Sequence, residues 1–209
     1  MNKQFVVAFL ICAATTLQAA DVVDITVNTS TVNGTTGYID FQFNPSPAGS
    51  QSATVQIQNF AGATYRAGTQ SDLGSVSGGP LPATVTINNS SSGVGINDDF
   101  EGLTFGKTLA LQLTFTGPAV TSPNGSSQPS QFFLSMFSDP NGADPILTND
   151  PNGVLGIVTI SPATGLASSR AISPNLTFAP EPGSLALLGS GLLLLGAWAK
   201  RRRANCSSR

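Results

Sequence analysis

An antiparallel β-sandwich or jelly roll of about eight or nine strands is the fold this sequence predicts, set between two terminal segments that address the chain. Three observations predict it. Apolar residues recur with period two through the middle of the chain, Asn, Gly and Pro break that pattern at short intervals, and no stretch there has helical spacing. The 209 residues include 22 Gly and 14 Pro yet are 40% hydrophobic, enough to close a two-sheet core.

The strands follow in order. Val23–Val27 and Ile39–Phe43 alternate apolar and polar residues, as do Thr54–Gln58 and Thr84–Asn88, so each offers one face to a core and one to water. Leu109–Phe115 is the longest such run and reads as a central strand. Phe132–Phe137 is apolar on both faces, the pattern of a strand covered from two sides. Val154–Ile160 and Asn175–Phe178 complete the set. Between them stand Asn33-Gly34, Asn44-Pro45-Ser46-Pro47, Gly78-Gly79-Pro80, Pro123-Asn124-Gly125 and Asp150-Pro151-Asn152-Gly153, residue types that close turns.

Charge and chemistry narrow the functions. Only 10% of residues are charged, and the formal net charge of −2 hides an asymmetry. Between Ala20 and Pro180 ten acidic residues face only Arg66, Lys107 and Arg170, while five of the nine cations lie from Lys200 onward. An acidic body without basic clusters excludes nucleic acid as a partner. The chain has no His, which removes the commonest general base and zinc ligand. No catalytic residue set is recognisable. Cys12 and Cys206 both fall in the terminal segments, so the body holds no disulfide.

Residues 1–19 read as a signal peptide: Lys3, then the apolar run Phe5–Ala14, then Ala19 at a cleavage position. Residues 20–178 form the body, read as an ectodomain. Residues 183–199 carry no charge and would span roughly 25 Å as a single transmembrane helix. Lys200, Arg201, Arg202 and Arg203 then stop the chain on the cytoplasmic side, within a basic tail of residues 200–209. Ala179-Pro180-Glu181-Pro182 links body to helix, its prolines favouring an extended chain.

The Pro180-Glu181-Pro182 motif, the apolar run and the Arg-rich end, in that order and spacing, resemble the PEP-CTERM sorting tail of Gram-negative bacteria. The resemblance implies secretion across the inner membrane, anchoring there through the C-terminal helix, processing by an exosortase-type enzyme, and delivery to the cell surface or extracellular polysaccharide. The three motif residues are then a substrate site for another enzyme. The body, through Gly37–Pro45, Asn97–Gly106 and Phe132–Gly153, resembles a set of PEP-CTERM proteins to which no activity attaches.

Three groups of residues in the body could carry chemistry. Asp98, Asp99 and Glu101 read first as a solvated acidic loop leading into a Phe100–Phe105 strand, then as Ca²⁺ ligands, and last as a hydrolase acid and base. Asp139, Asp144 and Asp150 suggest calcium loops, but Ala143 stands where a ligand belongs, and Asp-Pro-Asn-Gly favours a type I turn. Tyr38, Phe41, Phe43, Phe60, Tyr65, Phe132, Phe133 and Phe137 are expected in the core rather than on a sugar-binding face. The reading that results is a non-enzymatic surface or matrix protein without cofactor. A glycan- or Ca²⁺-binding module is the alternative, and an Asp/Glu-dependent hydrolase follows it.

Overall fold

A computed structural model describes residues 21–46, 49–90, 95–125 and 127–180. The expected signal peptide, membrane helix and basic tail lie outside them. The strands are β1 (Asp21–Asn28), β2 (Thr36–Asn44), β3 (Thr54–Tyr65), β4 (Ser71–Leu73), β5 (Val76–Gly78), β6 (Val85–Asn88), β7 (Asp98–Thr116), β8 (Ser130–Phe137), β9 (Val154–Ile160), β10 (Ala167–Ala171) and β11 (Leu176–Pro180). Among the described residues, the helices are one 3₁₀ turn at Ser30–Val32 and one short turn at Pro118–Thr121.

The all-β class matches the expectation, but the strands form one hydrogen-bonded antiparallel sheet of eleven, not two separate sheets. The cause is β7, 19 residues long, which changes partners along its length. Its first half pairs with β2 from Asp98 to Thr104, and its second half with β1 from Thr108 to Phe115. On its other edge it pairs with β3 from Leu103 to Thr116 and with β4 at Asp98–Phe100.

The partner change coincides with a bend. The ladder between β3 and β7 slips twice between Gln58 and Ala63. Gly62 sits there at φ +89° with its Cα against the Thr108 carbonyl, where any Cβ would collide with main chain. A bulge of this kind kinks a strand and increases its twist. The sheet therefore folds over. One half runs β10-β9-β8-β2 to the start of β7, and the other continues from the end of β7 through β1 to β11 and through β3 to β6 and β5.

The two halves meet through rings. Phe115 of β7 packs edge-on against Phe43 of β2 at 5.8 Å and against Phe132 of β8 at 6.3 Å. Phe41 stacks near Phe132 at 6.2 Å. Phe41, Phe43, Phe115 and Phe132 are fully buried, each contributing roughly 1.5–3 kcal/mol of apolar burial. The alternation read from the sequence survives intact: Leu109, Leu111, Leu113 and Phe115 point inward, as do Val55 and Ile57.

β8 is buried on its inner face throughout and on its outer face only at Ser135 and Phe137. Phe133 is half-buried and Gln131 exposed, so the two-sided cover expected from its sequence reaches only the end of the strand. Its outer face is covered there by the Asp139–Asn152 segment, which packs beside the Phe137 and Phe100 rings. Tyr38 stacks on Phe100 at 5.1 Å, and Arg66 lies over the Tyr38 ring at 5.7 Å. The short strands β4, β5 and β10 were not legible, because three to five residues with Ser, Gly and Asp carry no measurable alternation.

Candidate functional site

The acidic segment is not a loop. Asp98–Glu101 opens β7, where β2 on one side and β4 on the other hold its main chain. In a strand consecutive side chains take opposite faces. Asp99 and Glu101 therefore point into the core and are fully buried, while Asp98 turns to the outer face. The expectation of a solvated acidic loop is corrected by this position at the sheet's centre.

On the inner side, Asp99 lies opposite Asp72 of β4. The Gln70 side-chain amide reaches between them. Its Nε2 donates to Asp99 Oδ1 at 3.2 Å and approaches Asp72 Oδ1 at 3.2 Å, Asp72 Oδ2 at 3.4 Å and the Gly78 carbonyl at 3.5 Å. Asp99 Oδ2 is buried without a hydrogen-bond partner. Glu101 accepts the Leu81 main-chain N–H on both oxygens, at 3.1 and 3.0 Å. Gly79 lines the same spot at φ +67°, where a Cβ would stand 2.6 Å from Gln70 Nε2 and 3.3 Å from Glu101 Oε1.

The electrostatics follow from burial among like charges. Burial first, then the Glu101 charge and Asp72, push Asp99 up to about 9. Burial also raises Glu101, to about 7, against the opposing Leu81 N–H.

The outer face holds a second pair. Asp40 of β2 and Asp98 of β7 are diagonal neighbours. Asp40 is 5% exposed, and its Oδ2 accepts Gln42 Nε2 at 2.9 Å. Asp40 Oδ1 and Asp98 Oδ1 are buried and receive no hydrogen bond from any other group. Burial, followed by the interaction with Asp98, pushes Asp40 up to about 9, so at neutral pH Asp40 keeps its proton and can donate it to Asp98. Burial raises Asp98 as well.

The remaining sequence candidates do not join either cluster. Asp139 accepts main-chain N–H groups from Asn141, Ala143 and Asp144 at 2.8, 2.9 and 2.6 Å, bonds that hold its carboxyl below the usual range. Asp150 accepts the Asn152 N–H at 2.9 Å. Both Asp-Pro-Asn-Gly segments are turns built the same way. Among the described residues, no three His, Cys, Asp or Glu side chains are set to hold a metal ion. Reasoning from sequence missed Asp40, Asp72 and Gln70. Asp40 sits at an outward position of an alternating strand and reads as solvated; the two-sided apolarity of β8 was the available hint that this outer face is covered.

At the other end of the body, β11 pairs with β1, Val23 opposite Pro180 and Asp24 opposite Ala179. The Ala179–Pro182 linker thus starts inside the last strand, and the two ends of the body leave from one edge of the sheet. Among the described residues, no helix is long and apolar enough to cross a membrane; residues 183–199 lie outside them.

No curated protein and no solved structure matches the chain. Residues 179–203 match the PEP-CTERM protein-sorting motif, which implies an exported protein processed by an exosortase-type system at its C-terminal end.

Proposed function

We propose that this chain is a non-enzymatic β-sandwich protein of the cell surface or extracellular matrix, associated with extracellular polysaccharide. On this reading the chain is held at the inner membrane through residues 183–199 until its tail is processed at Pro180–Pro182. The observation that carries the reading is the sorting motif continuing directly from β11, so that the tail joins a folded body at the edge where β1 also begins. A folded sheet whose ends emerge together suits a body suspended from a membrane by one edge. Its outward strand faces carry Thr, Gln and Asn, as at Thr54, Gln56, Gln112 and Thr114, which favour hydrogen bonding to neutral hydrated sugars. The complete burial of Asp99 and Glu101 speaks against a hydrolase acid–base pair there.

Mass spectrometry of the mature protein tests the reading. The expected product lacks residues 1–19 and ends near Pro182, and a tag inserted before Pro180 is accessible to protease on intact cells. A protein that keeps residues 183–209 and stays shielded inside the cell would overturn it.

A further inference from the structure

The oxygens around the Gln70 amide have a geometry that the sorting role does not use. Four of them, from the Asp72 and Asp99 carboxylates and the Gly78 carbonyl, lie 3.2–3.5 Å from the single atom Gln70 Nε2. An amide nitrogen has two hydrogens and cannot satisfy four acceptors at once. Asp99 adds an independent sign: it has no exposed surface, and its Oδ2 has no donor. Leaving a buried carboxyl oxygen unpaired is costly, and the neighbouring carboxyls raise the cost of ionising Asp99 unless a cation is present.

We infer that Gln70, Asp72, Gly78 and Asp99 form a divalent-cation site of the calcium type. The ligand chemistry is all oxygen, as a hard cation requires: two carboxylates, a main-chain carbonyl and a carboxamide. The cation takes the place that Nε2 now holds, and the Gln70 side chain turns aside to present Oε1 as the fourth group. Contracting the cage by roughly 1 Å brings its oxygens to the roughly 2.3–2.6 Å of calcium coordination, with water filling the remaining positions. Glu101, whose two oxygens accept the Leu81 N–H, stands as a further carboxyl behind the site. Asp72 is exposed and forms the entrance, whereas Asp99 forms the floor. The cation ties β4 to β7 and the Gly78–Pro80 turn, and so braces the acidic end of the sheet. This inference does not depend on where the tail delivers the protein.

The test uses the full chain in mild detergent, with terbium and calcium as probes. Tyr65, whose hydroxyl accepts the Gln70 main-chain N–H at 3.3 Å, is placed to sensitise bound Tb³⁺. The expected results are Tb³⁺ luminescence that Ca²⁺ displaces, and an unfolding midpoint that rises by about 5–10 °C at about 10 mM Ca²⁺ over EDTA if Kd is near 10⁻⁴ M. Asp72→Asn, an exposed substitution that leaves the core untouched, weakens both responses at least about tenfold while unfolding normally in EDTA. Asp139→Asn, in the acidic turn outside the cage, responds as the unaltered protein does. No calcium-dependent midpoint, or equal responses from Asp72→Asn and the unaltered chain, would overturn the inference; the carboxyls would then be holding protons only.

Discussion

The two halves of β7 share one strand, one core-facing register and opposite chemistry. Positions 109, 111, 113 and 115 turn Leu, Leu, Leu and Phe inward; positions 99 and 101 turn Asp and Glu inward, and both sets are buried. The lesson is that position in the sheet, not side-chain polarity, decided what became buried here. The apolar half holds the two layers together, whereas the acidic half has to satisfy its charge through a proton, an amide or a cation.

The sharpest test of that contrast is the ring between the layers. Phe115→Ala removes contacts to Phe43 and Phe132 and is expected to cost about 3–5 kcal/mol in urea unfolding. A loss below about 1 kcal/mol would break the comparison, since the apolar half would not be holding the fold.

Next comes the proton. Asp40 is neutral in the fold up to about pH 9 and ionises near its ordinary 3.8 when unfolded, so unfolding releases a proton between those limits. Its contribution is therefore complete in acid below the unfolded value and declines as pH rises, by up to about 1.4 kcal/mol per pH unit for one proton. The groups facing Asp40 are Asp98 and Gln42, with Ser135 opposite on β8. Asp40→Asn keeps a hydrogen-bond donor without an ionisable group and is expected to make the slope between about pH 6 and pH 8 shallower by one proton's share in urea titrations, leaving the shares of Asp99 and Glu101. An unchanged slope would place the titration elsewhere.

The hinge between the halves comes third. Gly62→Ala forces a Cβ toward the Thr108 carbonyl at a positive φ and is expected to destabilise by about 1–3 kcal/mol. A neutral outcome would mean that the fold-over does not need the bulge. The smallest effect belongs to Asp139→Ala, outside both halves. It frees the Asn141, Ala143 and Asp144 N–H groups, so their hydrogen exchange accelerates while the global unfolding midpoint stays within error.

Much of the fold was legible in the residues. Alternation in Val23–Val27, Ile39–Phe43 and Leu109–Phe115 placed strands and inward faces correctly, because burying one face imposes a period of two wherever a sheet covers a core. Asp-Pro-Asn-Gly was a turn for a local reason: its Asp caps the main chain two residues on. The carboxylate site was legible only in part. Asp98, Asp99 and Glu101 drew attention as a cluster, but a cluster in sequence splits across the two faces of a strand.

By itself, then, the sequence determined the all-β class, the turns and the sorting tail, each written in short-range patterns of a few residues. Only the tertiary structure decided that β7 would run through the bend and join the halves into one sheet. It also decided that Asp40 would meet Asp98, and that Gln70 and Asp72 would close over Asp99. Those contacts join residues about 30 to 60 positions apart, brought together by strand pairing, and pairing partners leave no trace in local alternation.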